Sequence, residues 1–343
     1  MDLETYSKNI IDFIAGSYIT SAITLGKDLG LFEELKRLDK PVTSQQLADA
    51  CKLKERYVRE WLGCMVSTKI VSMDGSDKYF IPEKLKPGLG GTEFAFMFPI
   101  LGTLTAKSKA CFKKDGPKGY TLADELPETF DVLDARMTNT DTVVEQLFTP
   151  VKKLTKTVTT VLDLGSGVGC VTRALRRHFP DADIYGVDYS DIATTKAIAA
   201  AEAEGVKNIK FIKEDATSLP ADWTGKFDWV ILFDLLHDLP DQESVMKEVK
   251  RVLKDDGAVS ITDPDIHSSH IDNVGDDSVA AVGYAISTVS CLPRSLSKDS
   301  SPGYGVGWGT ENKEAFLTKV GWLIKDKHHI GSPLACNFTC IKA

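Results

Sequence analysis

The sequence lacks features that point to export, to membranes or to nucleic acid. No apolar run approaches the ~18 residues that a membrane span needs, and the N-terminus carries early acids instead of a basic-then-apolar leader. Positive charge is not in excess either, because 41 basic residues face 49 acidic ones and the net charge is −8. Such a balance does not favour a polyanionic partner, so we expect a cytoplasmic protein that acts on neither nucleic acid nor membranes.

Cysteine pairing is also missing. The cysteines form an odd set of seven, with no C-x-x-C pair and no histidine at metal-ligand spacing, at positions 51, 64, 111, 170, 291, 336 and 340. This pattern argues against a disulfide framework and against a zinc site. We therefore expect reduced thiols and no bound metal.

The length of 343 residues and the hydrophobic content of 43% are sufficient for two compact domains. Changes in periodicity and composition along the chain indicate where the domains divide. We expect a winged-helix and dimerisation domain over residues 1–90, a helical connector over the active site at 91–156, and a catalytic domain over 157–343. The catalytic domain carries an insertion rich in Ser, Asp and Gly at 267–309.

Helical periodicity dominates the N-terminal half. Apolar residues recur at helical spacing over residues 8–38, which predicts a helical layer interrupted at Gly26 and Gly30. Residues 92–156 look helical again, with breaks at Pro99, Gly116–Pro117 and Pro127.

The segment from residue 41 to residue 86 predicts a helix-turn-helix with a wing. Thr43 and Ser44 can cap a short helix, and a second helix carries an apolar stripe of Val58, Trp61, Leu62, Met65 and Val66. Strand-like residues then flank a turn at 75–76. Eight basic and six acidic residues leave this segment with a charge of only +2, so we favour dimerisation over DNA binding.

Short β-rich runs alternate with amphipathic helices from residue 157 onward. The runs are VTTVLDL, ADIYGVD, NIKFIKED, FDWVILF and GAVSITD. Two further strand candidates, near 322–330 and 335–342, follow a helix at about 310–320. This alternation predicts an α/β fold with a doubly wound, mainly parallel, seven-stranded Rossmann-like sheet.

A glycine-rich loop follows the first of these strands. Residues 158–170 form a buried strand that ends at Asp163, and then a loop that contains Gly165, Ser166, Gly167 and Gly169. Glycines let the backbone approach a ligand closely, and the following helix N-terminus offers free N–H groups. As a dinucleotide fingerprint the loop is flawed, because Cys170 stands where a small third residue is wanted.

Acidic residues end the next strands. Asp188 can accept hydrogen bonds from both hydroxyls of a ribose. The same role occurs in nicotinamide-binding and in adenosylmethionine-binding folds, so Asp188 does not distinguish between these two cofactors. The third strand ends in Glu214-Asp215-Ala216, where a carboxylate can accept a hydrogen bond from the adenine amino group. This position favours an adenosylmethionine-binding fold over a nicotinamide-binding one. The fourth strand places Phe233, Asp234, His237 and Asp238 at the carboxyl edge, where ligands bind in open α/β sheets.

Together, DLGSGVG, GVD, EDA and FDWVILFDLLHD resemble the successive cofactor motifs of class I S-adenosylmethionine-dependent methyltransferases, over about residues 157–266. The segments TSQQLADACKLKERYVREWLGCMVSTKIV, STVSCLPRSLS and GWGTENKEAFLTKVGW also look like a winged-helix subgroup of that class. More distantly, the layout is similar to plant small-molecule O-methyltransferases.

The resemblance implies S-adenosylmethionine as cofactor and S-adenosylhomocysteine as its product. It places Asp188 at the ribose, Asp215 and Ala216 at the adenine, and the Phe233 carbonyl near the methionine amino group. The full set of expected cofactor-binding residues is Asp163, Gly165, Ser166, Gly167, Asp188, Tyr189, Asp215, Ala216, Phe233 and Asp234.

The same resemblance implies the catalytic residues. His237 and Asp238 match the His-Asp of the plant enzymes, so His237 is the candidate general base and Asp238 has an orienting role. Where those enzymes carry a carboxylate before the helix beside the base, this chain has Trp308-Gly309.

We expect methyl transfer to the oxygen or sulfur of a small molecule, an in-line displacement that depends on alignment in a water-poor pocket. A hydroxyl acceptor must lose a proton, and histidine, with a reference pKa of ~6.5, is suited to take it near neutrality. Two alternatives stay open: a nicotinamide-dependent oxidoreductase, and a DNA-binding regulator that uses the winged helix. We expect a homodimer formed through the N-terminal helices.

Overall fold

The computed structural model describes residues 1–121, 130, 139–275 and 279–343. They divide into two compact units, Met1–Gly102 and Thr103–Ala343. None of the helices in the described part of the chain combines the length and the apolar character that a membrane crossing requires.

Helices and a small hairpin form the first unit. The helices are α1 (Leu3–Asp28), α2 (Leu31–Leu38), α3 (Ser44–Cys51) and α4 (Glu55–Ser67). The hairpin strands β1 (Ser72–Met73) and β2 (Tyr79–Phe80) pair antiparallel and form the predicted wing. A run of 3₁₀ turns follows over Glu83–Met97, and α5 (Phe98–Cys111) comes next.

Local sequence accounts for most of these boundaries. The Thr43 hydroxyl accepts a hydrogen bond from the Gln46 N–H at 3.2 Å, and the Gln46 side chain accepts from the Thr43 N–H at 2.9 Å, a capping box that starts α3. The apolar stripe of α4 is buried at Val58, Trp61, Leu62 and Met65. Pro99 starts α5 instead of breaking a helix, since its missing N–H lies in the first turn. The predicted break at Pro127 lies outside the described residues.

The expected interruption at Gly26 is wrong. Gly26 lies inside α1, and the break comes after Asp28, with Gly30 at a φ of +70°. Gly26 is instead a point of close approach, because a Cβ there would lie 2.4 Å from Cζ2 of Trp61. Packing against Trp61 therefore explains this glycine better than a turn does.

The second unit is built on a seven-stranded sheet. Its strands are β3 (Thr160–Leu164), β4 (Asp183–Asp188), β5 (Ile209–Lys213), β6 (Phe227–Phe233), β7 (Leu253–Pro264), β8 (Trp322–Ile330) and β9 (Ser332–Lys342). The order is β5-β4-β3-β6-β7-β9-β8, and β9 runs in the direction opposite to the other six strands. This confirms the predicted doubly wound, mainly parallel fold.

Helices cover both faces of the sheet. They are α6 (Thr140–Val151), α7 (Cys170–His178), α8 (Asp191–Ala203), α9 (Gln242–Val252), α10 (Val279–Val289), α11 (Cys291–Ser295) and α12 (Thr310–Lys319). Asp241 caps α9 as predicted, because its side chain accepts from the Ser244 N–H at 3.0 Å. Helices α10 and α11 lie in the insertion, for which no helix is predicted from the sequence.

The topology decides where a ligand can bind. Helix α7 packs on one face through Val171 and Leu175, whereas α9 packs on the other through Val245 and Val249. The chain therefore leaves β3 and β6 in opposite directions, and a crevice opens between the carboxyl ends of these adjacent strands.

Candidate active site

The glycine loop after β3 is tied to the neighbouring strand. The N–H groups of Gly165 and Ser166 both donate to the Val187 carbonyl, at 2.7 Å and 2.9 Å. Gly165, Gly167 and Gly169 have φ values of +77°, +54° and +79°. Side chains rarely tolerate this left-handed region, so the loop conformation requires its glycines.

The three glycines face different surroundings. A Cβ on Gly165 would lie 2.7 Å from the Leu235 side chain, and one on Gly169 would lie 2.8 Å from the Phe211 ring. At Gly167 no atom lies within 4 Å of that position. Gly165 thus brings the loop against the residues that follow β6, and Gly167 lies on the open side of the loop.

Asp188 holds the open side of this loop. Its Oδ2 accepts from the Gly167 N–H, and its Oδ1 accepts from the Ser190 N–H, both at 2.8 Å. Burial raises the pKa of Asp188 above its ordinary value despite these hydrogen bonds. Each carboxylate oxygen keeps a second acceptor site, so Asp188 can also accept hydroxyl groups of a ligand.

Asp163 and Tyr189 differ in exposure: Asp163 is buried and Tyr189 is exposed. Asp163 is buried beneath the glycine loop, with Oδ2 accepting from the Thr172 hydroxyl at 2.6 Å, and burial raises its pKa to about 7. It therefore ties β3 to α7 below the loop. Tyr189 is 62% exposed next to Asp188.

Asp215 and Ala216 follow β5. The Asp215 Oδ1 accepts from the Thr217 N–H at 2.8 Å and from the Thr217 hydroxyl at 2.7 Å. Burial acts to raise the pKa of Asp215, but these hydrogen bonds outweigh it and the pKa is lowered. Ala216 packs partly buried against the apolar core. The Asp215 carboxylate is thus held rigidly as an anion, with Oδ2 available to a donor.

The end of β6 turns sharply toward the crevice. Phe233 is the last residue of the strand and is partly buried. Asp234 then adopts a φ of +55° and donates its N–H to the Thr262 carbonyl at 2.7 Å. This turn leads directly into a short 3₁₀ turn, Leu236–Asp238, that carries the candidate base.

His237 lies between two carboxylates. Its Nδ1 is hydrogen-bonded to Oδ1 of Asp263 at 2.9 Å, and its Nε2 lies 3.0 Å from Oδ1 of Asp238. The second contact is an ion pair without hydrogen-bond alignment, because Asp238 Oδ1 has no hydrogen-bond partner among the described residues. His237 is only 2% exposed, so an acceptor can reach Nε2 only when a neighbouring group moves.

The electrostatics of His237 differ from the expectation. Burial lowers its pKa, but the charges of Asp238 and Asp263 outweigh burial and raise it well above the ordinary value. The expectation of proton acceptance near neutrality assumed the ordinary pKa of histidine, and the pKa of His237 departs upward from that value. The two carboxylates therefore favour the protonated ring, and loss or movement of either carboxylate would make proton acceptance by His237 easier.

The insertion contributes a cation to the same cluster. Arg294, on α11, places Nη1 2.9 Å from Oδ2 of Asp238. Burial acts to raise the pKa of Asp238, but His237 and Arg294 outweigh it and hold the pKa well below its ordinary range. Asp238 therefore joins the candidate base to the insertion.

Cys291 completes the surroundings of His237. Its sulfur and the ligand atoms of His237 and Asp238 lie within 4.8 Å of one another, a spacing that a metal ion could also use. Burial raises the pKa of Cys291 to about 11, so the thiol stays protonated. Because Arg294 already neutralises Asp238, this cluster is a poor cation site, and the absence of a metal stays a prediction.

Three residues of this cluster are not among those predicted from the sequence, namely Asp263, Arg294 and Lys313. Asp263 ends β7 and could have been found by the strand-end rule that identified Asp188 and Asp215. Arg294 lies in the insertion, within the segment STVSCLPRSLS that resembles the winged-helix subgroup, but the resemblance assigns it no role. Lys313 could have been noticed as the basic residue on the inward face of α12, where it is 1% exposed.

Two family comparisons cover most of the chain. Residues 155–314 match the family described as "Methyltransferase domain", and residues 17–87 match the "Rv2258c-like winged HTH domain". The demethylmenaquinone methyltransferase of Lactococcus lactis is 37% identical over 100 residues, which are 29% of this chain and 39% of that protein. The chain thus spans well under half the length of the curated relatives it matches.

Solved structures resemble the whole chain in fold. A putative O-methyltransferase from Nostoc punctiforme has a TM-score of 0.69 at 18% identity, with all of both chains covered. Human N-acetylserotonin methyltransferase, in complex with S-adenosylmethionine, has a TM-score of 0.65 at 16% identity and covers 100% of this chain and 99% of its own. These likenesses confirm the fold, a winged-helix unit followed by a Rossmann-like domain.

Proposed function

We propose that this chain, whose residues 155–314 match a methyltransferase domain, transfers a methyl group from S-adenosylmethionine to a hydroxyl group of a small molecule. The observation that carries the proposal is the position of His237. It lies bonded to Asp263 at the carboxyl end of β6, next to a glycine loop that is open at Gly167. A proton acceptor and a cofactor loop therefore share one edge of the sheet.

The residues at this edge fit S-adenosylmethionine. Gly167 leaves space for a ligand against the loop, Asp188 retains acceptor sites for two hydroxyls, and Asp215 retains one for an amino group. When bound, the cofactor supplies a methyl group on a positively charged sulfur. The methyltransferase-domain match favours it over the nicotinamide alternative.

At the methyl acceptor, His237 accepts the proton and Asp263 holds the His237 ring in place. If Nδ1 carries a proton, it donates to Asp263, and this bond holds the ring and leaves Nε2 to accept the hydroxyl proton. An acceptor hydroxyl would take the place of the Asp238 carboxylate at Nε2, while Arg294 retains that carboxylate. A thiol acceptor, which ionises more easily, would depend less on His237.

A metabolite screen tests the proposed function. Purified protein incubated with S-adenosylmethionine and fractionated cell extract should release S-adenosylhomocysteine, and mass spectrometry should find a product heavier by one methylene on oxygen. Consumption of a reduced nicotinamide without release of S-adenosylhomocysteine would contradict it. A product methylated on sulfur would retain the enzyme class and change the acceptor.

DNA binding is the less favoured use of the winged helix. Helix α4 is the second helix of the helix-turn-helix, and its exposed basic residues are paired within the helix: Arg56 with Glu60, and Arg59 with Glu55 at 3.4 Å. These pairs cancel the charge that would contact phosphates. We therefore assign the winged-helix unit to homodimerisation. The cytoplasmic location of the protein stays a prediction.

Helix α1 supports a homodimer. From Leu3 to Ile14 nearly every residue is exposed, although many are large and apolar, namely Leu3, Tyr6, Ile10, Ile11, Phe13 and Ile14. An exposed apolar stripe of this size marks an interface. A second copy would present the same surface and cover it symmetrically.

We expect replacement of Ile10 and Ile14 by glutamine to convert a dimer into a monomer, because it removes the centre of the apolar stripe without lowering helix propensity. Light scattering after size exclusion measures the mass directly. Lys8→Gln on the same helix is the control and should stay dimeric. A monomeric unmodified protein at micromolar concentration would refute the dimer.

Two glycine substitutions should separate cofactor binding from stability. Gly167→Ala fills open space, so we expect a small cost in stability, about 1 kcal/mol, but at least tenfold weaker S-adenosylmethionine binding. Gly169→Ala collides with Phe211, and we expect about 2–3 kcal/mol of destabilisation. Denaturant unfolding and calorimetric titration distinguish them, and equal effects of both substitutions on both measurements would contradict the assignment of Gly167.

A further inference from the structure

Lys313 is a buried cation beneath the candidate base. It lies on α12, is 1% exposed, and its ammonium donates to the Pro264 carbonyl. Its Nζ lies 4.0 Å from Oδ2 of Asp263. Burial lowers the pKa of Lys313, although neighbouring carboxylates oppose this. A lysine is rarely kept in such a place without a charge partner, because burying an unpaired cation is costly.

Asp263 is the partner that needs this cation. It is 1% exposed, and Oδ1 is occupied by His237, whereas Oδ2 has no hydrogen-bond partner among the described residues. Two cations therefore compete to neutralise one buried carboxylate: the imidazolium of His237 on one oxygen and the ammonium of Lys313 near the other.

Counting charges shows which state of His237 this arrangement favours. The buried row runs Lys313, Asp263, His237, Asp238 and Arg294. With a neutral imidazole, its two cations balance its two carboxylates. Without Lys313, balance is reached only when His237 is protonated. Lys313 therefore favours the neutral ring.

Other ionisable groups face this row and do not replace Lys313. Asp234 lies 3.9 Å from Nε2 of His237, but its side chain is 33% exposed and partly screened by solvent. Cys291 faces His237, and Cys336 faces Lys313, and burial keeps both thiols protonated. Asp265 also faces Lys313 and is bonded to Thr310 and His329.

We propose that Lys313 is a positioning residue that fixes Asp263 against Nδ1 of His237 and lowers the proton affinity of His237, so that the ring can accept the proton of the methyl acceptor. This inference rests on the proposed function for its catalytic meaning. The charge relation between Lys313 and His237 does not depend on it and can be measured without an acceptor.

The first test is a titration of the His237 ring. The protein is labelled at its six histidines, and the His237 signal is assigned by its loss in His237→Gln. In Lys313→Met the midpoint should move to higher pH by roughly one to two units, since removal of a nearby cation favours the imidazolium. Lys313→Arg should keep the midpoint close to that of the unmodified protein.

Controls separate this role from a structural one. Lys319→Met removes an exposed lysine of the same helix, paired with Glu243, and should leave the midpoint unchanged. Lys313→Gln replaces Lys313→Met if the latter does not fold. If the midpoint lies above the accessible range, the comparison is made in Asp238→Asn protein, where loss of a carboxylate lowers it.

Turnover supplies the second readout. With the identified acceptor, Lys313→Met should lose activity near neutrality and regain it as pH rises, whereas a purely structural defect would lower turnover equally at every pH. An unchanged His237 midpoint in a folded Lys313→Met or Lys313→Gln protein overturns the proposal. Absence of methyl transfer with a shifted midpoint would refute the proposed function and leave the charge relation intact.

Discussion

His237→Ala should lower turnover by ~10²–10⁴-fold and leave S-adenosylmethionine affinity nearly unchanged, because removal of a general base affects proton transfer and not the cofactor loop. The His237 ring lies beside Asp234 and Asp238, in the segment that follows β6. The cofactor loop is a different segment, which follows β3 and is held by the hydrogen bond from the Gly167 N–H to Asp188. Single-turnover rates and calorimetric affinities measure the two effects separately. The loss should shrink as the pKa of the acceptor hydroxyl falls.

The two carboxylates beside His237 provide a graded comparison. Asp263→Asn should reduce turnover more than Asp238→Asn, because Asp263 makes the aligned bond at Nδ1 that holds the ring, whereas Asp238 lies near Nε2 without such alignment. Near-normal turnover of His237→Ala on the identified acceptor would rule out the base mechanism. A thiol acceptor, methylated by alignment alone, would then be the better account.

The pH dependence should follow from the raised pKa of His237. A base works only in its neutral form, so turnover on a hydroxyl acceptor should rise with pH above neutrality. Asp238→Asn removes a carboxylate that raises this pKa, and the rise should therefore move to lower pH. A flat profile in both proteins would show that proton acceptance by His237 does not limit the reaction.

Asp188→Ala should weaken S-adenosylmethionine binding by about 2 kcal/mol, or roughly 30-fold, because the ribose hydroxyls lose a charged acceptor. The Gly167 N–H also loses its partner, which loosens the open side of the loop. Calorimetry on folded protein gives the affinity. Asp191→Ala, three residues further on at the start of α8, removes an exposed carboxylate paired with Lys213 and should bind normally.

An unchanged affinity in folded Asp188→Ala would remove Asp188 from the cofactor site. The Asp188 carboxylate would then only stabilise the loop, through the hydrogen bonds that it accepts from the N–H groups of Gly167 and Ser190. A loss of affinity accompanied by equal loss of stability would point to the same structural role, so unfolding curves are measured alongside.

Elements with a strong periodic pattern were predictable from sequence. The strand Phe227–Phe233 was located to the residue, and the cap at Asp241 and the stripe of α4 were correct, because each depends on neighbours within a turn or a strand. Helices α10 and α11 were missed because the Ser, Asp and Gly content of the whole insertion was taken to indicate a loop, although the α10 segment VAAVGYAISTV is itself mainly apolar.

The sequence by itself determined the doubly wound fold, the cofactor motifs and the position of His237, because strand ends and glycine loops are local features that a parallel sheet brings to one edge. Only the tertiary structure decided what His237 can do. Asp263 lies 26 residues from it, and Arg294 lies 56 residues from Asp238. The pKa of a buried ring depends on the charges within a few ångströms, and chain folding alone selects those charges.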